Sequence, residues 1–600
     1  MPRFPTLPTV DTYRVVTDAF RGLDRNARTE DGTFTDMANM SGDDYPVLST
    51  RQPRTVAAHI SSPHGILAKD ALAYVDGPNL IYNGNIVEGV TMSVLPSMCP
   101  KKLLSMGAYI LIWPDKIYVN TADLSDHGYI EQHNSFTGSI TYSLAKNDGT
   151  IYDTPTVSPT APADPQNGDL WIDSSGEVHG LFQWDAQSGQ WVNIATTYIR
   201  IDATGIGAGL SRHDGIELSG CDYTGGDQTI AAQIQALNGT VIVYDCADDW
   251  ITVVGIVDRA VTEASGAVSA ERNVPDMDYL TEAQNRVWGC KYGLVDGQTV
   301  NEIRCCALGD FRNWNQFLGL STDSWVGSQG TDGQFTGAIT HLGYPLFFKE
   351  GCLHKVYISS QGAHQVVTAT CRGVQKGSDK SLAIVDELLY YKARIGIMRY
   401  DGSLPVCVSD VLGSEYYYEA VGGGFGSKYY VSMKNDADVW HLYVYDARTG
   451  FWHRQDSLHV MDFAAMDDSL FAINADADDN YHALLDLNGM IDTYPEEKDT
   501  QMDWSATTGI IGLEYPDQKR LSRFVIRMDL PVGSSCIVRA QYDSSGTWVE
   551  VAAGVGRGLG TLTIPVIPRR CDHMQISISG TGPAKIYSFS KILEISGDKQ

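Results

Sequence analysis

The sequence predicts an all-β protein: a β-propeller of six or seven blades, with an inserted small β-domain and a C-terminal β-sandwich. Three observations predict it. Glycine (59) and tyrosine (31) are abundant among the 600 residues, while long stretches with apolar residues at helical spacing are scarce. A unit of apolar strand, Gly, Asp or Pro turn, and second strand recurs at a spacing near 40 residues, the period of a propeller blade. That rhythm breaks after about residue 124 and again near residue 500, and short strands with polar turns replace it.

Composition bounds the rest. At about 150 residues per domain the length suggests roughly four domains. With 43% apolar and 20% charged residues the chain can bury several cores, which excludes a disordered protein. Lys plus Arg number 44 against 73 Asp plus Glu, a net charge of −29, which argues against wrapping nucleic acid through clustered cations. An acidic wall past which DNA slides is compatible with it, since like charge repels across about 8 Å. The eleven cysteines run from Cys99 to Cys571 with only Cys305 and Cys306 adjacent and no C-x-x-C pair, so free thiols in a reduced folding compartment are expected. The opening MPRFPTLPTV has no apolar run of signal length and no later run reaches 18 apolar residues, so neither signal-directed export nor a membrane span is expected.

Residues 1–124 read as an N-terminal segment and the first blades. Ala71 to Gly89 and Ala108 to Thr121 are successive units, each with an Ile-Tyr strand after its turn. The same unit returns from Tyr344, Leu388, Tyr429 and Phe463, and Asn285 to Phe311 supplies a further one, so residues 281–499 hold the remaining blades. The pattern also fits an extended array of β-sandwiches. Residues 125–280 open on the Pro-rich stretch Thr154 to Asp173 and continue through the hairpin Leu181 to Ile194, the expected inserted domain or domains on a propeller loop. Residues 500–600 alternate inward and outward residues, as in RLSRFVIRMDLP, and read as an antiparallel sandwich.

Searches for chemistry return little. Asp185 to Trp191 (DAQSGQW) and Asp446 to Trp452 (DARTGFW) share Asp, Gly and Trp at equal spacing, and Asp543 to Trp548 (DSSGTW) shortens it by one. Each reads as a hairpin tip, where Asp bonds backbone N–H groups two residues on, Gly takes a positive φ, and Trp caps the returning strand. Alternatively the indoles stack on sugar rings, which makes Trp184, Trp191, Trp452 and Trp548 the candidate glycan or interface contacts. The spacing fails the sialidase box Ser-x-Asp-x-Gly-x-x-Trp. The run Asn474 to Asn480 alternates oxygen-bearing residues but lacks the glycine and the acid that a calcium loop needs, and reads as a solvated turn. Glycines at 205–209, 422–424 and 554–560 match neither dinucleotide nor P-loop spacing and read as loops. No catalytic residue, cofactor or metal is expected.

Three stretches resemble tail proteins of bacteriophages, especially the propeller-containing tail nozzle or packaged-DNA stabilisation proteins of short-tailed phages. They are Phe20 to Arg54, the middle from NRVWGC through LGDFRNWNQF (Leu308 to Phe317) and LFFKEGCLHKVY to IGIMRYDGSLP (Ile395 to Pro405), and the closing Pro565 to Gly582. The insert, GDLWID with LFQWDAQSGQW, resembles accessory modules of phage structural proteins. The resemblance implies a non-enzymatic virion component, commonly a homo-hexameric ring, assembled in the host cytoplasm. It would join portal or adaptor proteins to tail fibre, spike or plug proteins, and line the channel through which phage DNA is ejected without specific binding. The alternative is a glycan-binding β-propeller of a phage or bacterium, either binding alone or acting as a glycosidase with carboxylates drawn from separate blades.

Overall fold

The computed structural model describes residues 11–96, 98–478, 480–515, 517–564 and 569–595. Asp479 of the acidic run, residues 565–568 of the closing stretch and the prolines of residues 1–10 lie outside the described residues. Nearly every element is a strand; the α-helix among the described residues is the two-turn Gln228–Gln235.

Seven four-stranded antiparallel sheets make a propeller-like body. Six run in chain order over residues 63–86, 102–129, 279–328, 337–370, 383–407 and 417–454, here sheets 1 to 6. Sheet 7 takes three strands from residues 460–486 and its fourth from Thr55–Ile60, registered His482 to Ile60 and Asp486 to Thr55. First strands touch in succession: Pro63–Ala68 meets Lys102–Met106, which meets Tyr279–Glu282, which meets Gly337–His341. The turn Asp379–Ser381 of sheet 5 bridges Gly337–His341 to Tyr417–Phe425, and Val460–Met466 then meets both Tyr417–Phe425 and Pro63–Ala68, which closes the circuit.

Side-chain alternation explains why these sequences make these sheets. Successive residues of a strand point to opposite faces, so a strand with a neighbouring sheet on each side must be apolar throughout. In sheet 2, Ile110 and Ile112 join the core shared with sheet 1, while Leu111 and Trp113 join the core shared with sheet 3. In sheet 4, Phe347 packs toward sheet 3, and Leu346 and Phe348 toward sheet 5. In sheet 7, Leu470 and Ala472 face sheet 6, and Phe471 and Ile473 face sheet 1. The unbroken runs YILIW, PLFF and LFAI are the result.

Gly422 to Gly424, expected in a loop, lie within the first strand of sheet 6, Tyr417–Phe425. A Cβ at Gly422 would sit 2.7 Å from the Ser381 carbonyl oxygen, at Gly424 2.6 Å from that of Ile384, and at Gly423 2.6 Å from Phe463 Cβ. The run therefore allows close approach to the backbone leading into and through sheet 5 on one side and to Phe463 of sheet 7 on the other.

Strands from both chain ends form two further six-stranded sheets. One joins Asp11–Thr17, Met40–Ser41 and Leu48–Thr50 to Lys519–Leu530, Gly558–Ile564 and Lys585–Ile595. The other joins Gly22–Leu23 and Thr33–Ala38 to Asp503–Thr508, Ser535–Tyr542, Val549–Val555 and Met574–Thr581. They share a core in which the Phe34 and Phe589 ring centroids lie 6.3 Å apart, and that core runs on into sheets 5 and 6.

Buried cations fasten the link between these sheets and the ring. Arg54 donates to Asp456 Oδ2 (2.6 Å) and Gln455 Oε1 (2.8 Å), and Arg51 to Asp499 Oδ2 (2.7 Å) and Asn39 Oδ1 (2.7 Å), both arginines being 6% exposed. Burial alone would raise the Asp456 carboxyl, but Arg54 and Arg51 outweigh it and hold it below the usual range.

Residues 132–272 form the insert between sheets 2 and 3. Its leading strand, Gln132–Ala145, pairs antiparallel with its returning strand, Val261–Arg272, so that Gln132 lies opposite Arg272. Chain departure and return are thus adjacent, and the ring closes undisturbed. These strands centre a seven-stranded sheet, over which the helix Gln228–Gln235 buries Ile230 and Ile234 beneath an Asp227 cap. Arg272 pairs with Asp214 at 2.6 Å in the interior. Asn313 of sheet 3's connecting loop donates from Nδ2 to the His213 carbonyl (2.8 Å) and accepts from the Gly215 N–H (3.2 Å), tying insert to ring.

Two predictions follow from these contacts. Asp456→Ala leaves Arg54 buried without its carboxylate and should cost about 3–5 kcal/mol, read as an earlier guanidinium-chloride midpoint. His354, His364 and His453 are buried and neutral, each pushed from 6.5 to about 4 by desolvation. The unfolded chain therefore binds protons first: their stability contribution is whole above pH 6.5 and is lost as pH falls toward 4. Melting temperature should drop through that window, and His453→Gln should flatten the drop.

Candidate functional sites

Two places concentrate groups that the fold does not consume. The first is the small sheet of the insert, built from Thr156–Ser158, Leu170–Asp173, Gly180–Asp185 and Gln190–Asn193. One face carries Leu170, Ile172 and Leu181 into the insert core. Register places Trp171 opposite Phe182 and Trp184 opposite Trp191, so these four rings share the other face. Trp171 and Phe182 stack at 5.1 Å, and Trp191 meets Trp171 at 5.6 Å and Trp184 at 5.5 Å edge-on. The Trp171 indole donates to the Ser158 carbonyl (3.0 Å), whereas those of Trp184 and Trp191 have no protein acceptor among the described residues. A half-buried aromatic surface with two free N–H groups can stack on a flat apolar ligand face and donate to its polar edge.

The turn that presents it is built as the sequence implies. Asp185 accepts from the N–H groups of Gln187 (3.0 Å) and Ser188 (3.2 Å), and Gly189 has φ +64°. The Asp446 copy does the same with Arg448 (2.9 Å) and Thr449 (3.4 Å), with Gly450 at φ +75°. Asp543 instead accepts from Asp572 (2.7 Å) and His573 (3.4 Å), so the third copy bonds to a distant segment.

The four candidate tryptophans separate accordingly. Trp184 and Trp191 come together. Trp548 is 37% exposed just before the strand Val549–Val555 and meets no other ring among the described residues. Trp452 must be corrected: it is 0% exposed, packed on Tyr445 at 5.0 Å, and its indole donates to the Val408 carbonyl at 2.7 Å. It faces the shared core of sheet 6 and the terminal sheets, where no ligand reaches. Trp171 and Phe182 were missed, although their parity with Trp184 and Trp191 across one hairpin was a usable signal.

The second place is a cavity of about 680 Å³ on the axis of the ring. Six sheets contribute, through Leu67, Leu103, Leu280, Ile339, Gly422 and Phe463, and Lys380 comes from the turn that leads into sheet 5. Charges line it in pairs. Lys380 donates to Asp462 (3.0 Å), Lys291 to Asp278 (3.0 Å), and Lys101 to Asp115 (2.5 Å). Lys102 and Asp379 have no side-chain hydrogen-bond or ion-pair partner among the described residues. Burial pushes the Lys102 ammonium down, offset in part by Asp462 and Asp379. It also pushes the Asp379 carboxyl up, against Lys380 and Lys102.

No family model matches the chain, and no curated protein matches it. Among solved structures, it is similar to a glycoside hydrolase at 12% identity, over 52% of this chain and 96% of that one, with a TM-score of 0.20. An exo-β-1,3-galactanase of Phanerochaete chrysosporium gives 7% identity over 52% and 94%, with a TM-score of 0.20. The phage phi92 endosialidase gives 9% over 78% and 75%, with a TM-score of 0.21. Likeness at this level carries no argument about what this chain does.

The different burial of Trp452 and Trp191 predicts unequal costs. Trp452→Ala should cost about 3–5 kcal/mol through the cavity it leaves. Trp191→Ala should cost about 1 kcal/mol or less, both read by denaturant unfolding.

Proposed function

We propose that this protein is a glycan-binding β-propeller protein, with the aromatic face of the inserted sheet as its sugar platform. The observation that carries the reading is the sharing of one half-buried face by Trp171, Phe182, Trp184 and Trp191, two of them with indole N–H groups that have no acceptor among the described residues. Sugar rings present apolar C–H faces flanked by hydroxyls, and such a surface matches both. In this reading the seven sheets are the blades of a closed propeller, fastened by Thr55–Ile60, and the two terminal sheets are a sandwich. The role is binding, and no catalytic step is assigned.

The virion tail is the setting that the resemblance to nozzle proteins implies, and one feature favours it. Both chain ends are tied into one pair of sheets, which are pinned to the ring by Arg51 and Arg54, so the platform is borne on a stiff frame. A receptor-contacting part of a particle needs that stiffness to hold many weak contacts in register.

The test is a glycan array with the full chain, followed by calorimetry on the best-bound oligosaccharide. Trp184→Ala and Trp191→Ala should each weaken binding at least tenfold while the melting temperature stays near that of the parent. An array without a saturable ligand, or affinity indifferent to both substitutions, overturns the reading.

A further inference from the structure

The axial cavity holds two lone charges of opposite sign in a wall whose other charges are matched. Lys380 is taken by Asp462, Lys291 by Asp278 and Lys101 by Asp115. Asp276, at the rim, pairs with Lys116 at 2.9 Å. That leaves Lys102, at the start of sheet 2's first strand, and Asp379, on the single turn that leads into sheet 5. Lys102 is exposed to the cavity and Asp379 partly so, and neither is taken up by a side chain among the described residues. Charges of opposite sign that converge on one partly apolar cavity without partners of their own are anchor points that a ligand can complete.

The ligand's chemistry follows from the wall. Lys102 calls for an anionic oxygen, and Asp379, with two acceptor oxygens, calls for hydroxyl or N–H donors on the same molecule. Leu103, Leu280, Leu382 and Phe463 add apolar surface between the charges. The volume of about 680 Å³ is within the range of small-molecule sites and too large for a lone inorganic ion. We propose that the axial cavity is a second binding site, separate from the aromatic platform, for a hydroxylated carboxylate of the uronic-acid type, with Lys102 holding the carboxylate and Asp379 the hydroxyls.

The test uses the full chain with D-glucuronate as probe, and D-glucose and propionate as controls that each carry half of the chemistry, read by saturation-transfer NMR and calorimetry. Glucuronate should bind saturably and at least tenfold more tightly than either control. Lys102→Met should weaken it at least tenfold and Asp379→Asn severalfold, while Trp191→Ala leaves it unchanged. Because Lys102 is unpaired, Lys102→Met should also melt no lower than the parent, so that lost binding is not lost folding. Absence of saturable glucuronate binding, equal binding of either control, or indifference to Lys102→Met overturns the proposal. A loss caused by Trp191→Ala overturns it as well, since it would place the ligand on the platform.

Discussion

Burial of each sheet on both faces is the constraint on which the rest of this structure depends. A four-stranded meander with one covered face can stand alone at a domain surface; these seven cannot, because their middle strands are apolar in both directions. Ile110 and Leu111 are neighbours in sequence and belong to different cores. Only a circuit gives every sheet two neighbours. The circuit in turn requires the last sheet to meet the first, which is where Thr55–Ile60 crosses from the start of the chain to complete sheet 7. Removing one sheet's contacts would expose apolar faces on two others, so cooperativity around the ring is expected from packing alone.

With the sheet faces committed to packing, function is left to the axis and to what is grafted on the rim. On the axis, first strands converge and leave a cavity whose lining is drawn from six sheets and from the turn that leads into the seventh. Such a site is assembled by closure and is absent from any single repeat. On the rim, the insert departs and returns through paired strands, Gln132–Ala145 and Val261–Arg272, and so adds a domain without lengthening the path around the ring. Asn313 then ties it to the ring through satisfied buried polar groups, where a flexible linker would leave it free.

Much of this was legible in the sequence, and the limits have physical causes. The all-β class showed in composition and in the recurring unit, because the doubly buried strands write unbroken apolar runs such as YILIW and LFAI at regular spacing. The hairpin turns at Asp185 and Asp446 showed because their bonding is local, within three residues. Pairing over long separations did not show: nothing in TFTDMA says that it will lie beside DWSATT, more than 460 residues on. The glycines at 422–424 were read as a loop because their need arises from sheets 5 and 7, not from their own strand. The helix Gln228–Gln235 went unread despite Ile230 and Ile234 at helical spacing, since two turns give too short a window. Lys102 and Asp379 are 277 positions apart, and only ring closure makes them face one cavity.

The two long copies of the Asp-Gly-Trp turn show why a motif could locate candidates without deciding among them. Both copies form the same turn, with the same acceptor on Asp and the same positive φ on Gly, and both set an aromatic pair across the strands, Trp184 with Trp191 and Tyr445 with Trp452. The local chemistry is equal to that point. What differs is the far side of the sheet. In sheet 6 the indole meets the core shared with the terminal sheets, and its N–H is satisfied by Val408, so the ring serves stability. In the insert the four-stranded sheet turns Leu170, Ile172 and Leu181 into the insert core and leaves Trp184 and Trp191 half-buried on its aromatic face, so the same residue type remains available. An aromatic cross-strand pair becomes a binding surface when the architecture leaves it uncovered, and the turn that presents it is indifferent to that outcome.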